Sequence, residues 1–212
     1  MKPKLTKIKL WSIIKNSCEA KSNELGYLAV TSKPEHTIRD RIAWRLYKEL
    51  KKSNKPLTVS REWKRTDIAV LHGNEPKLII EFKAGYIYDS HTVRKKPGHG
   101  DYAIDLFSDK EKRSSFLGIG AKLYLVLFMV DCLQNPSSTH ENGFHYRSGI
   151  RRLNKKSDTS RTSQIGKIKS NIEEKLLQKP LHHEVNLGSP YGVKTKLHIW
   201  FIGPIRNDVQ TI

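Results

Sequence analysis

The run Leu123–Val130 (LYLVLFMV) is eight residues long and carries no polar group beyond one tyrosine hydroxyl. Side chains on a strand alternate between faces, so a strand of this composition has to be covered on both. Eight residues are too few for a membrane helix, which needs about 20, and no other apolar run is longer. The chain is therefore expected to build a sheet around this strand, with helices on its two sides.

The helices can be read from their periodicity. In residues 35–51 (EHTIRDRIAWRLYKELK), Ile38, Ile42, Leu46 and Leu50 recur every four residues, and Ala43 and Tyr47 widen the stripe. Ser32 is the expected start signal, with Pro34 in the first turn and Ser53–Pro56 as the stop. Glu35 lies three residues before Ile38 and continues the core-facing stripe. Asp40, about 200° round from Ile38, faces elsewhere. A second helix is predicted from Tyr102 to about Arg113, capped by Asp101, and a third on Ile165, Ile168, Ile172 and Leu176.

Strand character is found at Leu57–Trp63, Thr66–Leu71, Lys77–Lys83 and Lys196–Ile202, with a hairpin turn at Gly73-Asn74. Before residue 35, Leu10, Ile13 and Ile14 sit at helical spacing, and Tyr27–Thr31 reads as a short strand or turn. The order is α, β, β, β, α, β, then α and β. This predicts an α/β fold, a mixed central sheet flanked by helices. Residues 1–212 read as a single domain, its core about 35–131 followed by a basic C-terminal extension, 132–212.

Charge constrains the partner. The 212 residues carry 39 Lys+Arg against 21 Asp+Glu, a formal +18, well beyond the magnitude of about 2–8 that solubility asks for. Such an excess points to a polyanion, most often nucleic acid. The segment Gly143–Lys179 alone holds ten basic and three acidic residues. Cys18 and Cys132 form no CxxC pair, which excludes a cysteine-rich zinc site and suits a reducing, cytoplasmic setting. Lys7, Lys9 and Lys15 break up any signal-peptide core.

The feature that carries chemistry is Asp67, fourteen residues before Glu81, with Lys83 two further on. Ile79, Glu81 and Lys83 share one side of their strand. A hairpin would set Asp67 beside Glu81, so that two carboxylates and an ammonium converge at one end of a sheet. Unpaired charges there are costly, and a divalent cation between the carboxylates would relieve the cost. Hard oxygen ligands suit Mg²⁺, with Mn²⁺ as a substitute. Lys83 would hold a metal-bound water or meet developing negative charge, and Glu35 could reach the same water or a second ion.

Helix 35–51, then T66-D67-I68, then I80-E81-F82-K83, then a second helix and LYLVLFMV, resemble the PD-(D/E)XK nuclease superfamily, whose fold is restriction-endonuclease-like. The resemblance covers about residues 35–131. It implies Asp67, Glu81 and the carbonyl of Phe82 as metal ligands, Lys83 as the water-orienting residue, and Glu35 as an assisting acid. It implies a Mg²⁺-dependent endonuclease acting on DNA, of type II restriction or defence and repair kind, working as a homodimer and without a membrane. Thr66 stands where the motif has proline, and the helix DYAIDLFSDKEKR lacks the Gln-x-x-x-Tyr of the RecB-like exonuclease branch.

Arg94, Lys95 and Lys96 follow the Glu-x-Lys strand and could reach the nucleic-acid backbone. Arg147, Arg151, Arg152, Lys155, Lys156 and Arg161 could form a phosphate clamp. His182-His183 lacks the downstream Asn and His of an HNH-type site, His99 reads as a loop or phosphate contact, and Gly118-Ile119-Gly120 reads as a turn. Other readings are a nuclease for branched or mismatched DNA, a catalytically silent DNA-binding module, and an RNA-associated structural protein.

Overall fold

The computed structural model describes residues 5–52, 56–91, 102–115, 117–118, 120–155 and 158–205. Three helices come first: α1 (Lys7–Glu19), α2 (Ser22–Thr31) and α3 (Glu35–Lys51). β1 (Leu57–Arg61), β2 (Ile68–His72) and β3 (Glu75–Tyr86) follow, then α4 (Tyr102–Ser114) and β4 (Lys122–Cys132). α5 (Arg147–Asn154), α6 (Asp158–Leu176), β5 (Leu181–Asn186) and β6 (Thr195–Ile205) complete the chain. The protein is a mixed α/β fold in which helices flank one six-stranded sheet of order β1-β2-β3-β4-β6-β5.

β4 is central, as its composition demands, and pairs parallel with β3 and antiparallel with β6. Its even-numbered side chains share a face with Phe82, which stacks on Phe128 with ring centroids 5.6 Å apart. α1 to α3 cover this face. Trp11 of α1 stacks on Phe201 at 5.4 Å, and the Tyr86 hydroxyl donates to the carbonyls of Ala29 and Ser32 around the end of α2. The odd-numbered face carries Glu81 and Lys83 and is covered by α4, against which α6 packs. A glycine admits α4 here, since a Cβ on Gly85 would fall 2.0 Å from the Tyr102 hydroxyl.

Several boundaries differ from the sequence reading. Tyr27–Thr31 is helical because Leu25, Ala29 and Val30 bury one side of α2; burial outweighs local β preference. Ser32 does not start α3: its hydroxyl donates back to the Leu28 carbonyl, and Pro34 occupies the cap without a side-chain bond. Residues 62–66 leave the strand for a turn with Glu62, Lys64 and Arg65 at positive φ. The segment after 131 supplies β6, almost wholly buried beside β4, and β5 at the edge of the sheet. Asp101 lies outside the described residues. Among the described residues no helix is long and apolar enough to cross a membrane, and Cys18 and Cys132 are free and buried.

Candidate active site on the odd-numbered face of β3

Ile68 pairs with Ile80, so Asp67, one residue ahead of β2, falls opposite Glu81. Its Oδ2 accepts the backbone N–H of Phe82 at 2.8 Å, which fixes the carboxylate across the two strands. Phe82 thus contributes its backbone amide to the site. Three residues at positive φ lie in the five that lead to Asp67. Backbone strain of this kind, about 1–3 kcal/mol each, persists only where surrounding contacts enforce it. One such contact is the Arg65 carbonyl, which accepts from Arg113 Nη2 at 2.5 Å.

Glu81 is not at a strand end as expected. β3 runs on to Tyr86, so Glu81 is mid-strand and only 3% exposed. Burial, followed by the charges of Asp67 and Asp109, raises its pKa from 4.5 to about 8, against the pull of Arg113. Arg113 Nε donates to Glu81 Oε1 at 2.7 Å. Lys83 is two residues on and pairs with Asp109 Oδ2 at 2.9 Å. Burial opposes its charge, but Asp109, then Glu35 and Asp67, hold its pKa above the ordinary value. At neutral pH Lys83 is thus an ammonium, able to meet negative charge and unable to accept a proton.

Glu35 opens α3 and joins the same neighbourhood. Its pKa is raised by burial and by Asp67, and lowered less strongly by the Ala84 backbone N–H, Lys83 and His36. Arg39, one turn along, lies 3.7 Å from Asp67 Oδ1. Asp40 turns away to Arg61 at 2.9 Å, as its helical angle requires. The four sequence-derived residues Asp67, Glu81, Lys83 and Glu35 are one electrostatic cluster. Asp109 and Arg113 were missed, although they fall three and seven residues after buried Leu106 and so lie on the core-facing stripe of α4.

No known protein family, curated protein or solved structure matches this chain. Its chemistry has to be argued from the side chains.

The donor set fits a hard divalent cation: two carboxylates on adjacent strands, one of them kept from ionising by crowding and burial. In the arrangement seen, Glu81 is turned onto Arg113, and Asp67 onto the Phe82 amide with Arg39 3.7 Å from its other oxygen. The single trio of His, Cys, Asp or Glu whose ligand atoms all approach within 4.8 Å, among the described residues, is elsewhere: His182, Glu184 and His198.

The basic candidates divide. Arg94, Lys95, Lys96, His99 and Lys156 lie outside the described residues. Arg151, Arg152 and Lys155 are exposed on or just after α5, with Arg151 ion-paired to Glu141. Gly149 brings α5 against Tyr88, just beyond the end of β3, since a Cβ there would sit 2.3 Å from that ring. Arg161 does not face solvent phosphate: its Nε lies 3.5 Å from Asp131, which is 1% exposed.

Proposed function

We propose that this chain is a metal-dependent DNA endonuclease of restriction-endonuclease-like fold that hydrolyses phosphodiester bonds. The observation that carries the reading is the buried Glu81 carboxyl, crowded by Asp67 and Asp109 and followed at two residues by an ammonium. A cluster this costly in free energy has a reason to exist where charge must be met during a reaction. The element order α3-β1-β2-β3-α4-β4 supports it, as does the net charge of +18.

Asp67 and Glu81 would hold Mg²⁺ (or Mn²⁺), which when bound acidifies water and neutralises charge on phosphoryl oxygens. The protein's own groups do the rest. Asp67, tied to the Phe82 amide, keeps its position between strands. Lys83 presents positive charge where the pentavalent phosphorus centre gains negative charge. Glu35, whose proton is held more tightly than usual, can carry a proton in the neighbourhood of Asp67 and Lys83. Arg152 and Lys155 offer sequence-independent phosphate contacts. Cutting both strands of a duplex needs two such sites, so a homodimer belongs with this reading, in a cytoplasmic setting.

The test is plasmid DNA incubated with the purified chain, with and without Mg²⁺ or Mn²⁺. Nicking or linearisation that needs the metal and disappears in Glu81→Ala and Lys83→Ala supports the reading. Absence of cleavage, or equal cleavage by those variants, overturns it.

One observation favours a second reading. Arg113 already occupies Glu81 Oε1 by a hydrogen bond of 2.7 Å, which suits a catalytically silent DNA-binding module of the same fold. Salt-dependent DNA binding indifferent to Mg²⁺, without nicking, selects that alternative.

A further inference from the structure

β5 is an edge strand of mostly polar sequence, LHHEVN, and its side chains sort by face. His183 turns toward α1, where its ring nitrogen lies 2.8 Å from Glu19. His182 and Glu184 turn the other way and stand beside Trp200 and His198 of β6, their register partners. His182 Nε2 is 3.3 Å from His198 Nδ1, and His198 Nδ1 is 3.6 Å from Glu184 Oε1. Nitrogen ligands at the ~2.0–2.1 Å of zinc bonds stand about 3.3 Å apart along a tetrahedral edge. The two distances at His198 Nδ1 are close to that edge, and all three ligand atoms lie within 4.8 Å of one another.

The surroundings match a metal site beyond its first ligands. His198 is 1% exposed, and its Nε2 makes no hydrogen bond but faces Asp131 Oδ2 at 3.9 Å. A carboxylate on that side favours a proton on Nε2, which would leave the Nδ1 lone pair toward His182, and a small approach of the two groups would give the outer-sphere arrangement of metal-bound imidazoles. Asp131 is in turn approached by Arg161 at 3.5 Å. Lys196 holds Glu184 by Oε2 at 3.0 Å, leaving Oε1 directed to the histidines. Trp200 stacks on His182 with centroids 4.8 Å apart and fixes the ring.

We propose that His182 Nε2, His198 Nδ1 and Glu184 Oε1 bind one divalent transition-metal ion of the zinc class. Two imidazoles with one carboxylate prefer such an ion to Mg²⁺ or Ca²⁺. The ion ties edge strand β5 to β6, and because His182 and Glu184 are exposed a fourth position stays open to water. This site is independent of the carboxylate cluster on β3 and stands or falls apart from it.

The experiment is a Zn²⁺ titration of the chelator-stripped full chain, with Co²⁺ as a spectroscopic probe. The expected result is one ion per chain, undisturbed by millimolar Mg²⁺, with intense tetrahedral Co²⁺ bands and a raised Tm. His182→Ala and Glu184→Ala change exposed side chains, and each should weaken binding by at least tenfold and abolish the Co²⁺ bands. Asp131→Asn should weaken it by about 10–100-fold, the range for outer-sphere partners. Glu81→Gln should leave it unchanged. Less than one ion per chain, or wild-type affinity in His182→Ala, overturns the proposal. Loss of the site in Glu81→Gln overturns it equally, by placing the ion on β3.

Discussion

Two clusters of ionisable side chains occupy the same face of the sheet and are assembled by different means. Lys83, Leu127, Trp200 and His182 form one cross-strand row through β3, β4, β6 and β5. The clusters at its ends are therefore roughly 14 Å apart, three strand spacings of ~4.8 Å. The cluster on β3 is made of oxygens and balanced by Arg113, Arg39 and Lys83. The cluster on β5 and β6 is made of imidazoles and one carboxylate, with buried Asp131 behind it. Each rests on a hairpin, β2–β3 for the first and β5–β6 for the second; helices α3 and α4 complete the first, and Asp131 of β4 stands behind the second. Short-range spacing can pair the strand residues of both sites; the groups behind them need the completed fold.

The largest expected effect tests the first cluster. Asp67→Ala should lower Mg²⁺-dependent DNA cleavage by about 10³-fold or more, the equivalent of the several kcal/mol that a bound metal supplies. Lys83→Ala should lower it by about 10²–10³-fold, as for loss of one preorganised charge-stabilising donor. Both are read from single-turnover rates on a labelled duplex. Zn²⁺ affinity unchanged in both variants would sharpen the separation of the two regions.

Leu127 is the buried spacer in the row between them. Leu127→Ala should cost about 2–5 kcal/mol of unfolding free energy, measured by urea denaturation, and should weaken both sites together. If only one site suffers, the sheet does not support them jointly.

Protonation separates the clusters further. Glu81 has its pKa raised from 4.5 to about 8, so its ionisation opposes folding of the metal-free chain. The stability present below pH 4.5 is lost as pH rises through about 8, on the order of a few kcal/mol at most. Glu81→Gln should therefore raise Tm at pH 8.5 in chelator and change little at pH 5, followed by thermal melts. Cleavage at limiting Mg²⁺ should rise with pH through about 8, because metal and proton compete for the same carboxylate. A flat profile between pH 6 and 9 would break this account of Glu81.

The smallest effect belongs to the solvent-facing pair at the second cluster. Lys196→Ala should change stability by no more than about 1 kcal/mol, as exposed ion pairs do, while weakening Zn²⁺ binding slightly by releasing Glu184 Oε1 from its orientation toward the histidines. Calorimetry on the same preparation checks both.

How far the molecule could be read in advance differs by region. Ile38, Ile42, Leu46 and Leu50 are all buried in α3, since a four-residue repeat reports directly which side of a helix meets the core. LYLVLFMV is the central strand because an unbroken apolar run has to be covered on both faces. Residues 181–186 escaped because LHHEVN is polar and only β6 makes it a strand. Tyr27–Thr31 misled because its strand-forming residues are recruited into a helix by the burial of Leu25, Ala29 and Val30.

By itself the sequence determined α3, α4, α6 and most strands, the hairpin that puts Asp67 across from Glu81, and the shared side of Glu81 and Lys83. Each follows from spacing along a few consecutive residues, where the geometry of helix and strand leaves little choice. Only the tertiary structure decided that Arg113 and Asp109 face those groups, and that Asp131 of β4 stands behind the histidines of the β5–β6 hairpin. Those contacts depend on which strand lies beside which and in what register, and β6 slots between β4 and β5 to satisfy a whole sheet's hydrogen bonds and burial at once. No local spacing contains that choice.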